Sequence, residues 1–361
     1  MPHIPITVLT GFLGSGKTTL LNKILRDTRY SDSAVIVNEF GDIDIDGDLI
    51  ERVDERLTTT TTGCLCCTIR GDIRSTLLDL YERRRHADVP PFRRVIVETT
   101  GLADPIPVLH TLMSDPELTD RFSWGGVVTT VDAITAEQTF DRHPESIKQI
   151  AVADRIVLTK SDLLEGTSGK KRKGALRRRI ARLNPAAPIL NTNHKGFGLK
   201  RLFDTPNFDP ASKAADVTKW LNEEAFAAEH VAHHDHHHEH IHAHDINRHD
   251  DSIRAFRVIL DKPLTMMTFI IALENMIASY GADILRIKGL VNIREKPDTP
   301  AVLHGVQHYL HPPIFLERWP TEDRRTRLVF ITRDVPPSAI EALFRAWERA
   351  SAAVIEDRQV A

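Results

Sequence analysis

Ile4-Pro5-Ile6-Thr7-Val8-Leu9-Thr10-Gly11-Phe12-Leu13-Gly14-Ser15-Gly16-Lys17-Thr18-Thr19 is the stretch that decides the fold. Ile4 to Leu9 is a short apolar run of strand character, and Leu20, Leu21, Ile24 and Leu25 follow at helical spacing. Between them, Gly11-x-x-x-x-Gly16-Lys17-Thr18 has the spacing of a phosphate-binding loop, in the strand-then-helix context that such a loop requires. Gly11, Gly14, Ser15 and Gly16 let successive backbone N–H groups converge on phosphate oxygens, and the helix N-terminus adds favourable partial charge. Lys17 supplies a point charge for the β- and γ-phosphates. The Thr18 hydroxyl suits Mg²⁺, and Thr19 completes the first helical turn.

Working outward, the same strand-and-polar-end pattern repeats. Ala34 to Asn38 leads into acidic residues, and Val95 to Val97 into Glu98-Thr99-Thr100-Gly101. Val127 to Val131 ends in Asp132, and Ile156 to Leu158 in Thr159-Lys160-Ser161-Asp162. Continuous apolar strands separated by helical lengths predict an α/β fold: a mostly parallel sheet covered by helices on both faces. Ligands of such sheets bind at the carboxyl ends of the strands, where all these polar motifs fall. Glu98 is placed to work near Mg²⁺ and the γ-phosphate, and Gly101 to donate its N–H to that phosphate. Lys17, Thr18 and Glu98 are the catalytic candidates. Asp162 selects the base. A carboxylate accepts from guanine N1–H and N2–H₂ together, whereas adenine would leave it unpaired, and such sites discriminate by about 10⁴-fold. Thr159 and Lys160 complete the base-binding motif, so the nucleotide is GTP.

The chain has 361 residues, 41% hydrophobic and 27% charged, with a formal net charge of -3. This is globular composition, long enough for two domains, and it excludes a mostly disordered chain. The near-neutral balance gives no case for a nucleic-acid binder. No apolar run approaches the roughly 18 residues of a membrane span, and no secretory leader precedes Ile4, so the expected compartment is the cytoplasm.

All 3 cysteines fall in Gly63-Cys64-Leu65-Cys66-Cys67. An odd number packed so tightly is no disulfide framework and points to thiol or metal chemistry in a reducing compartment. If the segment is extended, Cys64 and Cys66 share a side, and Cys67 is expected to fold back at a turn. Thiolates with one further ligand suit tetrahedral Zn²⁺, with Co²⁺ as a further candidate. Glu39 and Asp42, in Asn38-Glu39-Phe40-Gly41-Asp42, lie between the phosphate loop and the cysteines, where a nucleotide-responsive switch is expected. A second ligand-rich stretch holds His233, His234, His236, His237, His238, His240, His242 and His244. Its imidazoles suit a metal store feeding the cysteines, or a solvated spacer, and loading would collapse on mild acidification.

The expected organisation is 1–205 as the nucleotide domain, 206–251 as a histidine-rich linker and 252–361 as a smaller α+β domain. Thr218 to Glu229 is expected to be a short helix, and His230 to Asp251 a mobile tract with too little apolar surface to offset its ordering entropy. In the last domain, strands are expected at Ile253–Leu260, Ile284–Ile293, Ala301–Leu310 and Arg327–Thr332. Helices are expected at Thr265–Tyr280 and Pro337–Ala352. Lys170 to Lys173 and Arg177 to Arg179 read as a solvated basic helix face.

The phosphate loop, Asn38-Glu39-Phe40-Gly41-Asp42, the cysteine segment through Thr68-Ile69-Arg70-Gly71-Asp72, Glu98-Thr99-Thr100-Gly101 and Thr159-Lys160-Ser161-Asp162 together resemble the CobW-type metallochaperone GTPases. Leu285 to Gly289, His304 to Tyr309 and Arg327 to Ile331 resemble that family's second domain. The resemblance implies slow GTP hydrolysis coupled to delivery of a metal, often zinc, into a client metalloprotein. It also implies Cys66 and Glu39 as metal contacts, Asp42 where the family often has Glu, and a nucleotide-dependent homodimer. Cobalt insertion and activation of a metal hydratase remain open within the family. A nucleotide-liganded metal store and a small-molecule kinase are the readings from other classes.

Overall fold

The computed structural model describes residues 3–38, 58–59, 65–69, 72–194, 196–203, 252–311 and 313–359, with the backbone alone at 58–59, 65–69 and 353–359. Two compact units form. One comprises Met1–Thr139, Lys148–Leu176 and Ile189–Asn207, the other Phe140–Ile147, Arg177–Pro188 and Phe208–Ala361.

The N-terminal chain alternates strands and helices. In order they are β1 (Ile4–Gly11), α1 (Lys17–Leu25), β2 (Ser33–Asn38), β3 (Thr58–Thr59), β4 (Leu65–Ile69), α2 (Ile73–Arg85) and β5 (Arg94–Thr99). There follow α3 (Ile106–Ser114), α4 (Pro116–Thr119), β6 (Phe122–Asp132), α5 (Ala136–Arg142) and α6 (Pro144–Ala151). The series ends with β7 (Arg155–Thr159), α7 (Gly166–Leu183), β8 (Ile189–Asn191) and α8 (Lys200–Phe203). The sheet order is β3-β4-β2-β5-β1-β6-β7-β8. All neighbours are parallel except β3, a two-residue edge antiparallel to β4.

The strands are apolar on both faces, so both must be covered. Leu9, Val35, Ile96, Val128, Val157 and Leu190 pack with Leu20, Leu21 and Ile24 of α1 in one core cluster. Their alternating neighbours Val8, Ile36, Val97 and Val127 are buried too. A parallel strand buried on both sides reads as an unbroken hydrophobic run, which is why the sequence pattern is continuous rather than alternating. The helix after the cysteine segment is fixed at its start. Asp72 caps α2 by accepting from the N–H groups of Arg74 and Ser75, and Arg74 Nε donates to Asp115 Oδ2 over 2.5 Å.

The C-terminal elements are β9 (Ile253–Leu260), α9 (Met266–Tyr280), β10 (Ile284–Val291), β11 (Ala301–Val306), β12 (Tyr309–Leu310), β13 (Ile314–Phe315), β14 (Thr326–Arg333) and α10 (Pro337–Gln359). They form an antiparallel sheet in the order β12-β11-β10-β14-β9, with β13 on β11. Phe269, Ala272 and Met276 of α9 and Ile340 and Phe344 of α10 share a core with Val258, Ile287, Leu303 and Phe330 of the sheet. Phe330 stacks on Phe256 at 5.4 Å and meets Phe344 at 5.9 Å. Thr265 caps α9 by accepting from Thr268 N–H.

Two local expectations fail. The run 301–310 is a hairpin rather than one strand, because the chain reverses at Gln307, which adopts φ 50°. Apolar residues on both sides of the reversal hid it. Cys67 does not sit at a turn either, since β4 continues to Ile69 under the pull of its ladder with β2. The expected helix at 218–229 and the histidine tract lie outside the described residues.

Candidate functional site

The sheet order reverses at β1, which has β5 on one side and β6 on the other. A crevice opens at such a point beyond the carboxyl ends of the strands, and the loop from Gly11 to Gly16 occupies it. Leu9 is level with Glu98, Gly11 with Thr130, and Asp132 with Thr159. The motif residues therefore come from adjacent strand ends.

The loop is held by its neighbours as well as by its own turns. Gly11 (φ 140°) lies so close to β6 that a Cβ would come within 2.3 Å of Thr130 Oγ1 and 2.4 Å of its carbonyl oxygen. Ser15 Oγ and Thr130 Oγ1 are hydrogen-bonded at 2.7 Å. Gly14 and Gly16 also have positive φ, and Gly16 is the N-cap of α1. Lys17 Nζ donates to the carbonyls of Gly11 and Phe12 at 3.0 and 3.3 Å, which keeps the ammonium folded over the loop. Thr18 Oγ1 donates to Glu98 Oε1 at 3.0 Å. Thr19 is exposed in the first turn of α1.

The base motif is tied to the phosphate loop. Thr159 Oγ1 donates to the Ser15 carbonyl at 2.7 Å. Lys160, at φ 52°, donates from Nζ to the Gly14 carbonyl and to Asp132 Oδ2, each at 2.8 Å. Asp162 Oδ1 accepts from Asn193 Nδ2 at 2.5 Å, while Ser161 Oγ donates to Asn191 Oδ1 at 2.7 Å. Sequence reasoning missed Thr130, Asn191 and Asn193 as supports, and it read Asp132 only as a strand end. β8 is three residues long and leaves no periodic signal.

Gly101 lies against the phosphate loop. A Cβ there would fall 2.6 Å from the Leu13 amide nitrogen, so only glycine allows this approach. Glu98 is buried. It bonds to Thr18, and the turn into α3 is held instead by Asp104, whose Oδ1 accepts from Ile106 N–H at 3.0 Å.

Cys66 and Cys67 are consecutive residues of β4, level with Val35 and Ile36 of β2. β2 ends at Asn38, level with Ile69 on one side and Thr99 on the other. Cys64, Glu39, Asp42 and His233, His234, His236, His237, His238, His240, His242 and His244 lie outside the described residues. Among the described residues no group of three or more His, Cys, Asp or Glu could hold a metal ion. Of the basic residues on α7, Lys170, Lys171, Arg172, Arg177 and Arg178 are exposed, as expected, whereas Arg179 is buried and pairs with Asp141 at 2.7 Å.

Residues 5–191 match the CobW/HypB/UreG nucleotide-binding domain, and residues 253–348 match the cobalamin synthesis protein cobW C-terminal domain. The chain belongs to the CobW family. Among curated proteins, this CobW-family chain is 32% identical to the zinc chaperone YjiA of Escherichia coli (strain K12) over 344 residues, covering 95% of this chain and 98% of that protein. It is 29% identical to a zinc chaperone CobW of a Sinorhizobium species over 376 residues, covering 95% and 97%. The crystal structure of Zn(II)-bound YjiA GTPase from E. coli aligns with a TM-score of 0.71 at 30% identity, covering 96% of this chain and 99% of that one. The chain is thus a P-loop GTPase with the family's second domain. No helix among its described residues is long and apolar enough to cross a membrane.

Proposed function

We propose that this CobW-family GTPase is a metallochaperone that carries zinc at its cysteine segment and releases it to a client metalloprotein as GTP is hydrolysed. The observation that carries the proposal is the strand order. The cysteine strand β4 adjoins β2, β2 adjoins β5 with Glu98, and β5 adjoins β1 with the phosphate loop. At about 4.8 Å per step, three steps set β4 roughly 14 Å across the sheet from β1, whose carboxyl end carries the phosphate loop. The segment between β2 and β3, with Glu39 and Asp42, joins the two along the chain. The names of the relatives support zinc as the cargo, and thiolates suit it chemically.

In this reading the N–H groups from Gly11 to Thr19 and the Lys17 ammonium hold the triphosphate, Gly101 N–H donates to the γ-phosphate, and Asp162 reads guanine beside Thr159 and Lys160. Glu98 orients the water that attacks the γ-phosphorus, giving GDP and inorganic phosphate. Thr18 and Glu98 set a hydroxyl and a carboxylate oxygen side by side, a hard-oxygen pair that fits Mg²⁺ and would let it neutralise phosphate charge. Residues 1–205 carry this chemistry, 206–251 the histidine-rich linker, and 252–361 the surface for the client. The cytoplasm is the compartment, and nucleotide-dependent homodimerisation accompanies the cycle.

The test is a zinc competition titration with Mg²⁺ and either GDP or a non-hydrolysable GTP analogue bound. Coupled sites should differ in zinc affinity by about fivefold or more. Equal affinities would remove the coupling. GTP turnover should rise with zinc, and C66S should lose both zinc retention and that stimulation. Zinc binding without turnover would favour the metal-store reading.

A further inference from the structure

The segment after Glu98, which meets the phosphate loop at Leu13, is also gripped by α6. Gln149 is 1% exposed. Its Nε2 donates to the carbonyls of Gly101 and Ala103, both at 3.2 Å. Because both neighbours are carbonyl oxygens, only the NH₂ end of the amide can face them, which fixes its orientation. The next residue back, Lys148, donates from Nζ to Asp104 Oδ2 at 2.8 Å. The backbone of Gln149 is itself anchored, since its carbonyl accepts from Thr129 Oγ1 of β6 at 2.7 Å. Thr130, the next residue on that strand, holds Ser15 of the phosphate loop. The 101–104 segment therefore meets both Leu13 and two consecutive side chains of α6.

We propose that Gln149 is the positioning residue of the triphosphate sensor: it holds the 101–104 segment in place, so that Gly101 meets a γ-phosphate without first being ordered. This rests on the reading of Gly101 as the γ-phosphate donor. GDP lacks that phosphate, and its remaining contacts lie in the phosphate loop and base motif, which Gln149 does not touch. Loss of the grip therefore costs ordering entropy only when the third phosphate is bound. Lys148 makes the more solvent-exposed contact of the pair.

The experiment measures GDP and non-hydrolysable GTP-analogue affinities, with Mg²⁺, for the full chain and for Q149M, Q149E and K148A. Each lost neutral hydrogen bond is worth a factor of roughly 2 to 12, so Q149M should bind the analogue about tenfold more weakly and hydrolyse GTP more slowly. Its GDP affinity should stay within about twofold, because none of the GDP contacts is changed. Q149E replaces the NH₂ that faces two carbonyls with a carboxylate oxygen that repels both, and should lose more. K148A, whose side chain is partly solvated, keeps the test available should Q149M fold poorly, and it should shift the same ratio less. An unchanged or increased preference for the analogue overturns the proposal, as does an equal loss for both nucleotides, which would mark Gln149 as merely structural. G101A measured alongside separates the two ideas. If G101A loses analogue preference while Q149M keeps it, the sensor stands and the Gln149 role falls. If neither changes, the sensor reading falls as well.

Discussion

In the proposed reading one side chain, Asp162, decides the base. Its carboxylate can only accept, and guanine presents two adjacent donors to it. In D162N the amide sets a donor against a donor at part of that edge. GDP affinity should fall by roughly 10²- to 10⁴-fold, because a base edge mismatched to a built polar site leaves groups unpaired. Xanthosine diphosphate, which carries a carbonyl where guanine has its 2-amino group, should lose far less or gain. Competition against a fluorescent nucleotide reads both, and retained GDP preference would contradict the assignment. Thr159 bears on the same site differently. Asparagine commonly opens this motif, but the threonine hydroxyl donates to Ser15 O and also to Val131 O, tying the base motif to the loop. That contact spans 144 positions and is invisible in the four-residue motif.

At the scale of elements, the β11–β12 hairpin carries a titration. Burial pushes His311 below its ordinary value of 6.5. Its ring stacks on His304 at 6.2 Å, with Tyr309 edge-on at 6.2 Å. A histidine whose folded pKa is depressed stabilises the fold above the unfolded value, and that contribution is lost as pH falls through about 6.5 toward the folded value. Thermal denaturation between pH 7.5 and 5.5, endpoints chosen about one unit either side of that value, should show a decline that is shallower in H311Q. Identical slopes would show that the ring titrates alike in both states. The same hairpin marks a limit of pattern reading. Val302, Leu303, Val306, Tyr309 and Leu310 recur with polar residues between them as in a single strand, and the ladder partners Gly305–Leu310 and Val306–Tyr309 show the reversal. By contrast Thr265 before the apolar 266–280 run announces its helix, because a cap and a period are local signals.

For the whole molecule, two ligand-rich stretches frame one question: whether metal collected by the histidines reaches the cysteines. Deleting 230–249 should lower the number of zinc ions bound per chain while leaving GTP hydrolysis intact. Unchanged stoichiometry would make the tract a spacer. The nucleotide-binding GTPase domain was legible from sequence because the phosphate loop and base motif each place their groups within a few covalent neighbours. So were the parallel sheet and the second α+β unit, since apolar periodicity reports burial directly. Only the tertiary structure decided which strands lie side by side. It put β2 between the cysteine strand and the Glu98 strand, brought Asn193 to Asp162, and set Gln149 against Gly101, 48 positions away. Parallel neighbours are chosen by crossover connections and by packing across the sheet, and a chain carries no local mark of either.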